Sequence, residues 1–173
     1  TTEIYTLSLH DALPISDGVV IVPQGPTGLP SQITLAGGTL AVKMDNGRSN
    51  SFYIRAGSSS STYLITYNGS NYNVNRSDVS RIRVDGGDRN DNIDISSSLN
   101  VPTTLNGGAG NDTIRGGSGN DLIDRGPGND YILARDGNDT VRGGGGADSI
   151  WGGNGNDYLY GSGNGRIYGE AGN

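Results

Sequence analysis

Six consecutive units of nine residues occupy the second half of the chain. They are GGAGNDTIR (107–115), GGSGNDLID (116–124), RGPGNDYIL (125–133), ARDGNDTVR (134–142), GGGGADSIW (143–151) and GGNGNDYLY (152–160). Glycine stands at position four, aspartate at position six and a large apolar residue at position eight of every unit. A short fixed period of this kind is typical of repeat architectures, in which each unit packs on its neighbours.

Each recurring residue has a physical reason. Glycines at positions one, two and four permit positive φ and let one turn approach the next closely. Aspartate at position six supplies a hard oxygen ligand that suits Ca²⁺. One apolar side chain per nine residues is too little for a free-standing hairpin, but stacked copies form a narrow continuous core. The position-eight residues are Ile114, Ile123, Ile132, Val141, Ile150, Leu159 and, in a further unit, Ile167.

The array resembles the RTX (repeats-in-toxin) family of hemolysin-type calcium-binding nonapeptides, whose pattern is G-G-x-G-x-D-x-U-x with U apolar. The resemblance covers 107–168, plus an outlying copy, GGDRNDNID, at 86–94. It implies a right-handed parallel β-roll, or β-solenoid, in which two repeats form one coil. We therefore predict an all-β fold with stacked nonapeptide repeats at 107–168, preceded by irregular β coils or a small β module at 33–106.

The same resemblance implies that calcium ions lie between coils and that aspartates two repeats apart share an ion. The predicted pairs are Asp112 with Asp130, Asp130 with Asp148, Asp121 with Asp139, and Asp139 with Asp157, which give about four ions. Backbone carbonyls would supply further ligands, and the candidates are Gly108, Gly110, Gly117, Gly119, Gly126, Gly128, Gly144 and Gly146. Asp91, in the outlying copy, is a further candidate ligand.

Calcium also has an energetic role in this prediction. Stacked carboxylates repel and raise one another's pKa, and a divalent cation between them reverses the sign of the interaction. The free energy of ion binding then becomes free energy of folding. An acidic, glycine-rich chain cannot otherwise offset its conformational entropy, so we predict a largely disordered array without calcium.

Three units depart from the pattern. Arg125 replaces the first glycine of the third unit, and Ala134 and Arg135 replace both opening glycines of the fourth. Arg135 would strain the backbone if φ there is positive, which would weaken the site of that unit. A seventh unit, GSGNGRIY (161–168), has Gly165 where the others have aspartate, so one column of carboxylates should end before it.

Residues 17–106 alternate short apolar runs with turn residues, a pattern that predicts strands. The predicted strands are Val19–Val22, Thr39–Val42, Phe52–Ile54, Tyr63–Tyr67, Tyr72–Val74 and Val79–Val84. The Asn68-Gly69 step predicts a β-hairpin. Three prolines between 23 and 30 indicate a linker or loop at 17–32.

Both ends of the chain have unusual features. Residues 1–16, TTEIYTLSLHDALPIS, resemble a translated sequencing adapter, so we expect this segment not to be native. His10, the only histidine, then has no place in a catalytic site. Residues 169–173, GEAGN, begin a further repeat that we expect to be truncated.

Composition excludes several classes of function. The chain has no cysteine, which removes disulfides and thiolate metal sites. Its net charge of -6 and the lack of a basic stripe argue against a nucleic-acid partner. No apolar run is long enough for a membrane span. The sequence holds no nucleophile elbow and no zinc-protease motif, so we predict no enzyme in this chain.

The predicted function is calcium binding that is coupled to folding of a secreted or cell-surface bacterial protein, as a structural or adhesive segment. The alternative is the C-terminal export and folding module of a secreted protease or lipase whose catalytic domain is missing. Further partners would be other domains of a larger parent protein or cell-surface glycans. Aromatic residues at positions seven and nine favour packing along a strand face over a carbohydrate-binding stripe; they are Tyr131, Trp151, Tyr158, Tyr160 and Tyr168.

Overall fold

The computed structural model describes residues 31–161 and 164–172, and this part of the chain is built from β-strands with no α-helix. The first eight strands are β1 (Ile33–Ala36), β2 (Thr39–Lys43), β3 (Ser51–Ala56), β4 (Thr62–Tyr67), β5 (Ser70–Asn75), β6 (Arg81–Asp85), β7 (Asn92–Ile95) and β8 (Thr103–Asn106). The others are β9 (Thr113–Arg115), β10 (Asp121–Asp124), β11 (Tyr131–Asp136), β12 (Thr140–Arg142), β13 (Ser149–Asn154), β14 (Tyr158–Leu159) and β15 (Arg166–Tyr168). The predicted adapter segment 1–16, the predicted strand Val19–Val22 and nearly all of the predicted linker lie outside the described residues.

Two sheets enclose one hydrophobic core. One sheet has the order β1-β2-β6-β8-β10-β12-β14, and the other has the order β15-β13-β11-β9-β7-β3-β4-β5. From β6 onward the chain alternates between the sheets, and every strand pairs in parallel with the strand two places later. The stacked coils form a β-solenoid of about 5 turns, which confirms the predicted fold class.

The strand register confirms that two repeats make one coil. Ile132 pairs with Ile114 on one side and with Ile150 on the other, so equivalent residues meet after two units. In the opposite sheet Ile123 pairs with Val141 in the same way. Because the period of two units brings every position-eight residue above its equivalent, a weakly apolar sequence still builds a continuous core.

Burial of the position-eight residues is complete in the centre of the array and declines toward its end. Ile114, Ile123, Ile132, Val141 and Ile150 are all 0 % exposed, whereas Ile167 is 45 % exposed. Complete burial of such a side chain contributes roughly 1.5–3 kcal/mol. Leu159 is half-buried against the same core.

The residues before the array belong to the same solenoid. β6 pairs with β8, and β3 pairs with β7, both in parallel, so the coils continue upstream of Gly107. The core continues with them, because Phe52 pairs with Ile93 and Val84 pairs with Leu105. Parallel coils therefore continue into the segment for which irregular coils or a small β module were the alternatives, through β2, β3, β6, β7 and β8.

Antiparallel strands cover the upstream edge of both sheets. β1 pairs with β2 in one sheet, and the hairpin β4–β5 lies beside β3 in the other. The turn between β4 and β5 has φ of 46° at Asn68 and 81° at Gly69, as a type I′ turn requires, which confirms the predicted hairpin. Strands at a sheet edge present unpaired backbone groups. Because β1 pairs with β2 and β4 pairs with β3, the exposed edge lies on the antiparallel strands and not on the solenoid coils.

Two local predictions were incomplete. Strand β1 was missed, although Gly37-Gly38 lies between two apolar runs and both glycines have positive φ, which is a hairpin signal. The strand predicted from Val79 begins only at Arg81, because a 3₁₀ turn at Arg76–Asp78 precedes it. Among the described residues, no helix is long and apolar enough to cross a membrane.

Candidate metal centre

The position-six aspartates lie at the ends of the glycine turns, directly before or at the start of a strand, with their side chains turned inward. Their exposed fractions are 1 % for Asp112, 3 % for Asp121, 3 % for Asp130, 0 % for Asp139 and 2 % for Asp148. Burial of this many carboxylates in a protein is unusual unless they are paired with cations or hydrogen-bond donors.

The aspartates form two columns that run along the solenoid. In the first column the backbone N–H of Asp112 donates to Oδ1 of Asp130 at 2.8 Å, and that of Asp130 donates to Oδ1 of Asp148 at 2.9 Å. In the second column Asp121 donates to Asp139 at 2.8 Å, and Asp139 donates to Asp157 at 2.9 Å. The structure thus places together the members of all four pairs that the sequence suggested.

Each column continues upstream beyond the array. The backbone N–H of Asp91 donates to Oδ1 of Asp112 at 2.8 Å, so the outlying copy belongs to the first column. Asn50 heads that column, because its backbone N–H and its side-chain amide both donate to Oδ1 of Asp91, at 2.6 and 3.1 Å. The backbone N–H of Thr103 heads the second column by donating to Oδ1 of Asp121 at 3.0 Å.

Sequence reasoning missed both of these residues. Asn50 directly precedes strand β3, as each column aspartate precedes its strand, and that position was the available signal. Thr103 follows Val101-Pro102 and carries no repeat signature that would have identified it.

The second carboxylate oxygen separates the aspartates into two classes. Among the described residues, Oδ2 is buried without a hydrogen-bond partner in Asp91, Asp112, Asp130, Asp139 and Asp157. Oδ2 of Asp121 instead accepts from the backbone N–H of Gly117 at 2.8 Å, and Oδ2 of Asp148 accepts from Arg125. A buried polar atom without a partner costs free energy, and an ionised one costs far more. Five such oxygens along two columns therefore form an uncompensated negative stripe.

Burial changes the proton affinity of these groups. It raises the pKa of Asp112 and Asp130 to about 6 and that of Asp139 to about 7. The neighbouring carboxylates add to the increase, while the backbone N–H donors oppose it. Burial also raises the pKa of Asp91 and Asp121. The columns therefore bind protons tightly in the absence of another cation.

The glycine carbonyls point along the columns from one coil to the next. A Cβ at Gly126 would lie 1.8 Å from the carbonyl oxygen of Gly108, and one at Gly128 would lie 1.7 Å from that of Gly110. Among the predicted backbone ligands, Gly108, Gly110, Gly119, Gly126 and Gly128 have carbonyls that face the next coil in this way. The carbonyls of Gly87, Gly137 and Gly155, which were not predicted, also lie between successive coils.

In three units position one lies beside the second carboxylate oxygen of the same unit, whereas Gly143 lies beside Asp124 instead. A Cβ at Gly107 would lie 2.5 Å from Oδ2 of Asp112, and one at Gly116 would lie 2.4 Å from Oδ2 of Asp121. At Gly152 the corresponding distance to Oδ2 of Asp157 is 2.6 Å. Because glycine has no Cβ, these three carboxylates approach the backbone at position one more closely than a side chain there would allow.

This donor set fits Ca²⁺, which takes six to eight hard oxygen ligands from carboxylates and carbonyls in flexible geometry. In the part of the chain that the structure describes, no three or more His, Cys, Asp or Glu side chains form a metal-binding group. A pair of stacked aspartates would therefore need backbone oxygens to complete a site, as the resemblance implied.

Comparison with known families agrees with this geometry. Residues 103–132 and 133–165 match the family model of the RTX calcium-binding nonapeptide repeat, which contains four copies. The array is an RTX calcium-binding repeat. No curated protein and no solved structure matched the chain. Calcium binding is thus the general property of residues 103–165, and both carboxylate columns run through them.

The departures from the RTX pattern have visible consequences. Arg135 has φ of 82°, so the strain expected at this glycine position is present, and Arg89 in the outlying copy has φ of 81°. The Arg135 side chain donates to the carbonyl oxygens of Gly116, at 2.7 Å, and of Ile95, and it bonds Oδ1 of Asp94 at 3.1 Å. These bonds link three coils and oppose the backbone strain.

The carboxylates of the first RTX column end at Asp148. Gly165 stands at the next position, where a Cβ would lie 2.6 Å from the carbonyl oxygen of Asp148. The backbone N–H of Arg166 donates to that same carbonyl at 2.6 Å. The coil therefore stacks on Asp148 without adding a carboxylate, as expected from its sequence.

A second ladder, formed by asparagine at position five, was not recognised in the sequence. The side-chain carbonyl Oδ1 of Asn111 accepts from the backbone N–H of Asn129 at 2.8 Å, and that of Asn129 accepts from Ala147 at 2.7 Å. On the other side, Oδ1 of Asn138 accepts from the backbone N–H of Asn156 at 2.9 Å. The recurrence of asparagine at position five was the available signal. This ladder satisfies turn N–H groups and so holds successive RTX turns in register.

The aromatic side chains pack on one another along the outer face of one sheet. The ring centroids of Tyr131 and Trp151 are 4.8 Å apart, and those of Trp151 and Tyr168 are 5.1 Å apart. The Arg115 guanidinium lies 5.8 Å from the centroid of Tyr131. Tyr158 and Tyr160, from the other flank, are 64 % and 58 % exposed. The first three rings thus add cross-strand packing to the sheet.

Proposed function

We propose that the two carboxylate columns bind Ca²⁺ between successive coils and that this binding stabilises the folded solenoid. The observation that carries the proposal is the set of five buried Oδ2 atoms without partners, all of them in the two columns. Bound calcium would neutralise these oxygens electrostatically. The carbonyl oxygens that face from one coil to the next would also coordinate it.

The residues that would hold the ions are the stacked aspartates of each column. Asp112 and Asp130 would share one ion in the first column, and Asp139 would contribute to two pairs in the second, with Asp121 and with Asp157. Their backbone N–H to Oδ1 bonds keep one oxygen of each carboxylate fixed, so that Oδ2 is oriented for a cation. Asp91 would extend the first column by one more pair.

Coupling of calcium to folding follows from the same oxygens. Without a cation the folded state buries repelling carboxylates, whereas the unfolded chain leaves them in water. Because ligands that bind only the folded state stabilise it, calcium shifts the equilibrium toward the solenoid. Calcium sites of extracellular modules have dissociation constants on the order of 10⁻⁴–10⁻³ M. Such affinities would leave the chain unfolded at low cytosolic calcium and folded outside the cell.

The biological setting that we propose is a secreted or cell-surface bacterial protein, in which the solenoid is a structural or adhesive segment. RTX repeats are typical of secreted bacterial proteins. Both the repeat family and the β-solenoid fold are structural rather than catalytic. The alternative is the export and folding module of a secreted protease or lipase. The coding sequence before residue 17 distinguishes the two, since a catalytic domain supports the module and further β repeats support the adhesin.

Circular dichroism of the chain during calcium titration tests the proposal. Strand signal should increase cooperatively with Ca²⁺, should respond weakly to equal Mg²⁺, and should be lost on adding a chelator. Equilibrium dialysis should find several ions bound per chain. Full strand signal in a chelator, unchanged when calcium is added, would rule out coupling of calcium to folding.

A further inference from the structure

Arg125 is a fully buried charged side chain of the array. It is 0 % exposed, and no other arginine or lysine is among the buried charged residues of the described chain. It stands at position one of the third unit, and in three other units the glycines at this position, Gly107, Gly116 and Gly152, lie beside the carboxylate of their own unit. A guanidinium that remains charged at any accessible pH is costly to bury, so its surroundings must compensate it.

Three oxygens around Arg125 contact its two terminal nitrogens, while its Nε is buried without a hydrogen-bond partner. Its Nη1 donates to Oδ2 of Asp148, and its Nη2 donates to the carbonyl oxygen of Gly143. Nη2 also lies 3.3 Å from the carbonyl oxygen of Tyr160. One carboxylate oxygen and two backbone carbonyls thus contact the guanidinium, which is the class of donor that a Ca²⁺ site would use.

The side chain of Arg125 spans the gap between the two members of a predicted calcium pair. In three other units position one lies beside Oδ2 of the unit's own aspartate, and Arg125 occupies that position in the unit of Asp130. Its side chain ends on Asp148, one coil further along. Oδ1 of Asp148 accepts a 2.9 Å hydrogen bond from the backbone N–H of Asp130. The guanidinium therefore lies where an ion shared by Asp130 and Asp148 would bind.

We propose that Arg125 is a built-in cation that takes the place of Ca²⁺ between Asp130 and Asp148. This inference rests on the proposed function, in which the other aspartate pairs bind calcium. The array then holds one ion fewer than its aspartate pairs would suggest. The three negative charges of Asp112, Asp130 and Asp148 are balanced by one divalent ion and one guanidinium. The junction between these two coils forms without calcium.

Substitution of Arg125 by the glycine of the repeat pattern tests this assignment. Equilibrium dialysis at saturating calcium should find one more ion in Arg125→Gly than in the native chain. The midpoint of the calcium-dependent folding transition should move to higher calcium, because a junction that was permanently neutralised now requires an ion. The matched control is Arg142→Gly, which removes the same charge from an exposed position of the next unit. Its ion count should equal that of the native chain.

A second variant keeps the test decisive if Arg125→Gly folds poorly. Asp148→Asn in the native chain should leave the ion count unchanged, since the lost carboxylate was bound to a guanidinium. In the Arg125→Gly background the same substitution should remove the additional ion. Loss of an ion from the native chain on Asp148→Asn would overturn the inference, as would equal counts in native and Arg125→Gly chains. A native chain that binds no calcium would instead contradict the proposed function itself.

Discussion

The backbone N–H of Asp121 donates a 2.8 Å hydrogen bond to Oδ1 of Asp139, eighteen residues later in the chain. Asp139 donates in turn to Asp157, so it is the central carboxylate of its column. It is 0 % exposed, and its Oδ2 has no partner. Asp139 thus satisfies a turn N–H of the preceding coil with one oxygen and leaves the other without a protein partner.

Asp139→Asn should have opposite effects with and without calcium. The amide oxygen can still accept the N–H of Asp121, but the charge is removed. With calcium, we expect loss of the ions of both pairs and a lower melting temperature. In a chelator at pH 8 we expect the variant to be more stable than the native chain, because a buried unpaired charge costs more than a neutral amide. Thermal melts measure the effect in calcium, and the residual strand signal by circular dichroism measures the effect in the chelator.

The control for that substitution is Asp124→Asn, since Asp124 is an exposed acidic residue of the same array. Its melting temperature in calcium and its strand signal in the chelator should equal those of the native chain. Destabilisation of Asp139→Asn in the chelator as well as in calcium would show that the charge itself stabilises the metal-free fold.

The metal-free solenoid should become more stable as the pH falls. Burial raises the pKa of Asp112 and Asp130 to about 6 and that of Asp139 to about 7, so the folded chain binds protons more tightly than the unfolded chain. The stabilising effect of protonation is therefore complete below pH about 4 and is lost as the pH rises through 6 to 7. Circular dichroism in a chelator should show strand signal increasing between pH 8 and 5.

The same titration in saturating calcium should lack this increase, because the ion competes with the protons for the same oxygens. A metal-free chain that loses strand signal on acidification from pH 8 to 5 would contradict the assigned direction of the pKa shifts.

Gly126→Ala should destabilise the solenoid because of both conformation and space. Gly126 has φ of 79°, and a Cβ there would lie 1.8 Å from the carbonyl oxygen of Gly108. The left-handed backbone alone costs an alanine roughly 1–2 kcal/mol, and displacement of the neighbouring coil adds to it. Gly145→Ala is the matched control, since its Cβ would meet nothing within 4 Å.

Urea unfolding in saturating calcium measures both glycine variants. We expect Gly145→Ala to stay within about 0.5 kcal/mol of the native chain. Equal losses at the two glycines would mean that the coils do not approach each other closely at Gly126.

Ile132→Ala and Ile167→Ala compare one repeat position at two depths. Ile132 is 0 % exposed between Ile114 and Ile150, and Ile167 is 45 % exposed at the last strand. We expect Ile132→Ala to lower the free energy of unfolding by about 2–5 kcal/mol, because it leaves a cavity in the core. Ile167→Ala should lower it by less than about 1 kcal/mol. Urea unfolding of the calcium-loaded chains gives both values, and similar losses would contradict a core that ends before Ile167.

Much of the fold follows from the nine-residue period. Because glycine, aspartate and an apolar residue recur at fixed positions, stacking in register is the arrangement that buries the apolar residues and brings aspartates together. Pairs such as Asp112 with Asp130 were implied by the resemblance to RTX repeats, in which two repeats form one coil. The upstream coils were harder to predict, since the hairpin β4–β5 interrupts their period and places Asn50 forty-one residues before Asp91.

The sequence by itself determined the stacked repeats and the position of their core, because these depend only on what repeats. Its resemblance to RTX repeats implied the two columns of carboxylates. The tertiary structure alone revealed which oxygens already have partners. In the sequence Arg125 is only a departure from the repeat pattern. In the structure its guanidinium is fully buried and contacts Asp148, twenty-three residues away. A long side chain can reach the next coil, so its partner depends on how the coils stack. The neutralised junction is therefore a property of the assembled coils.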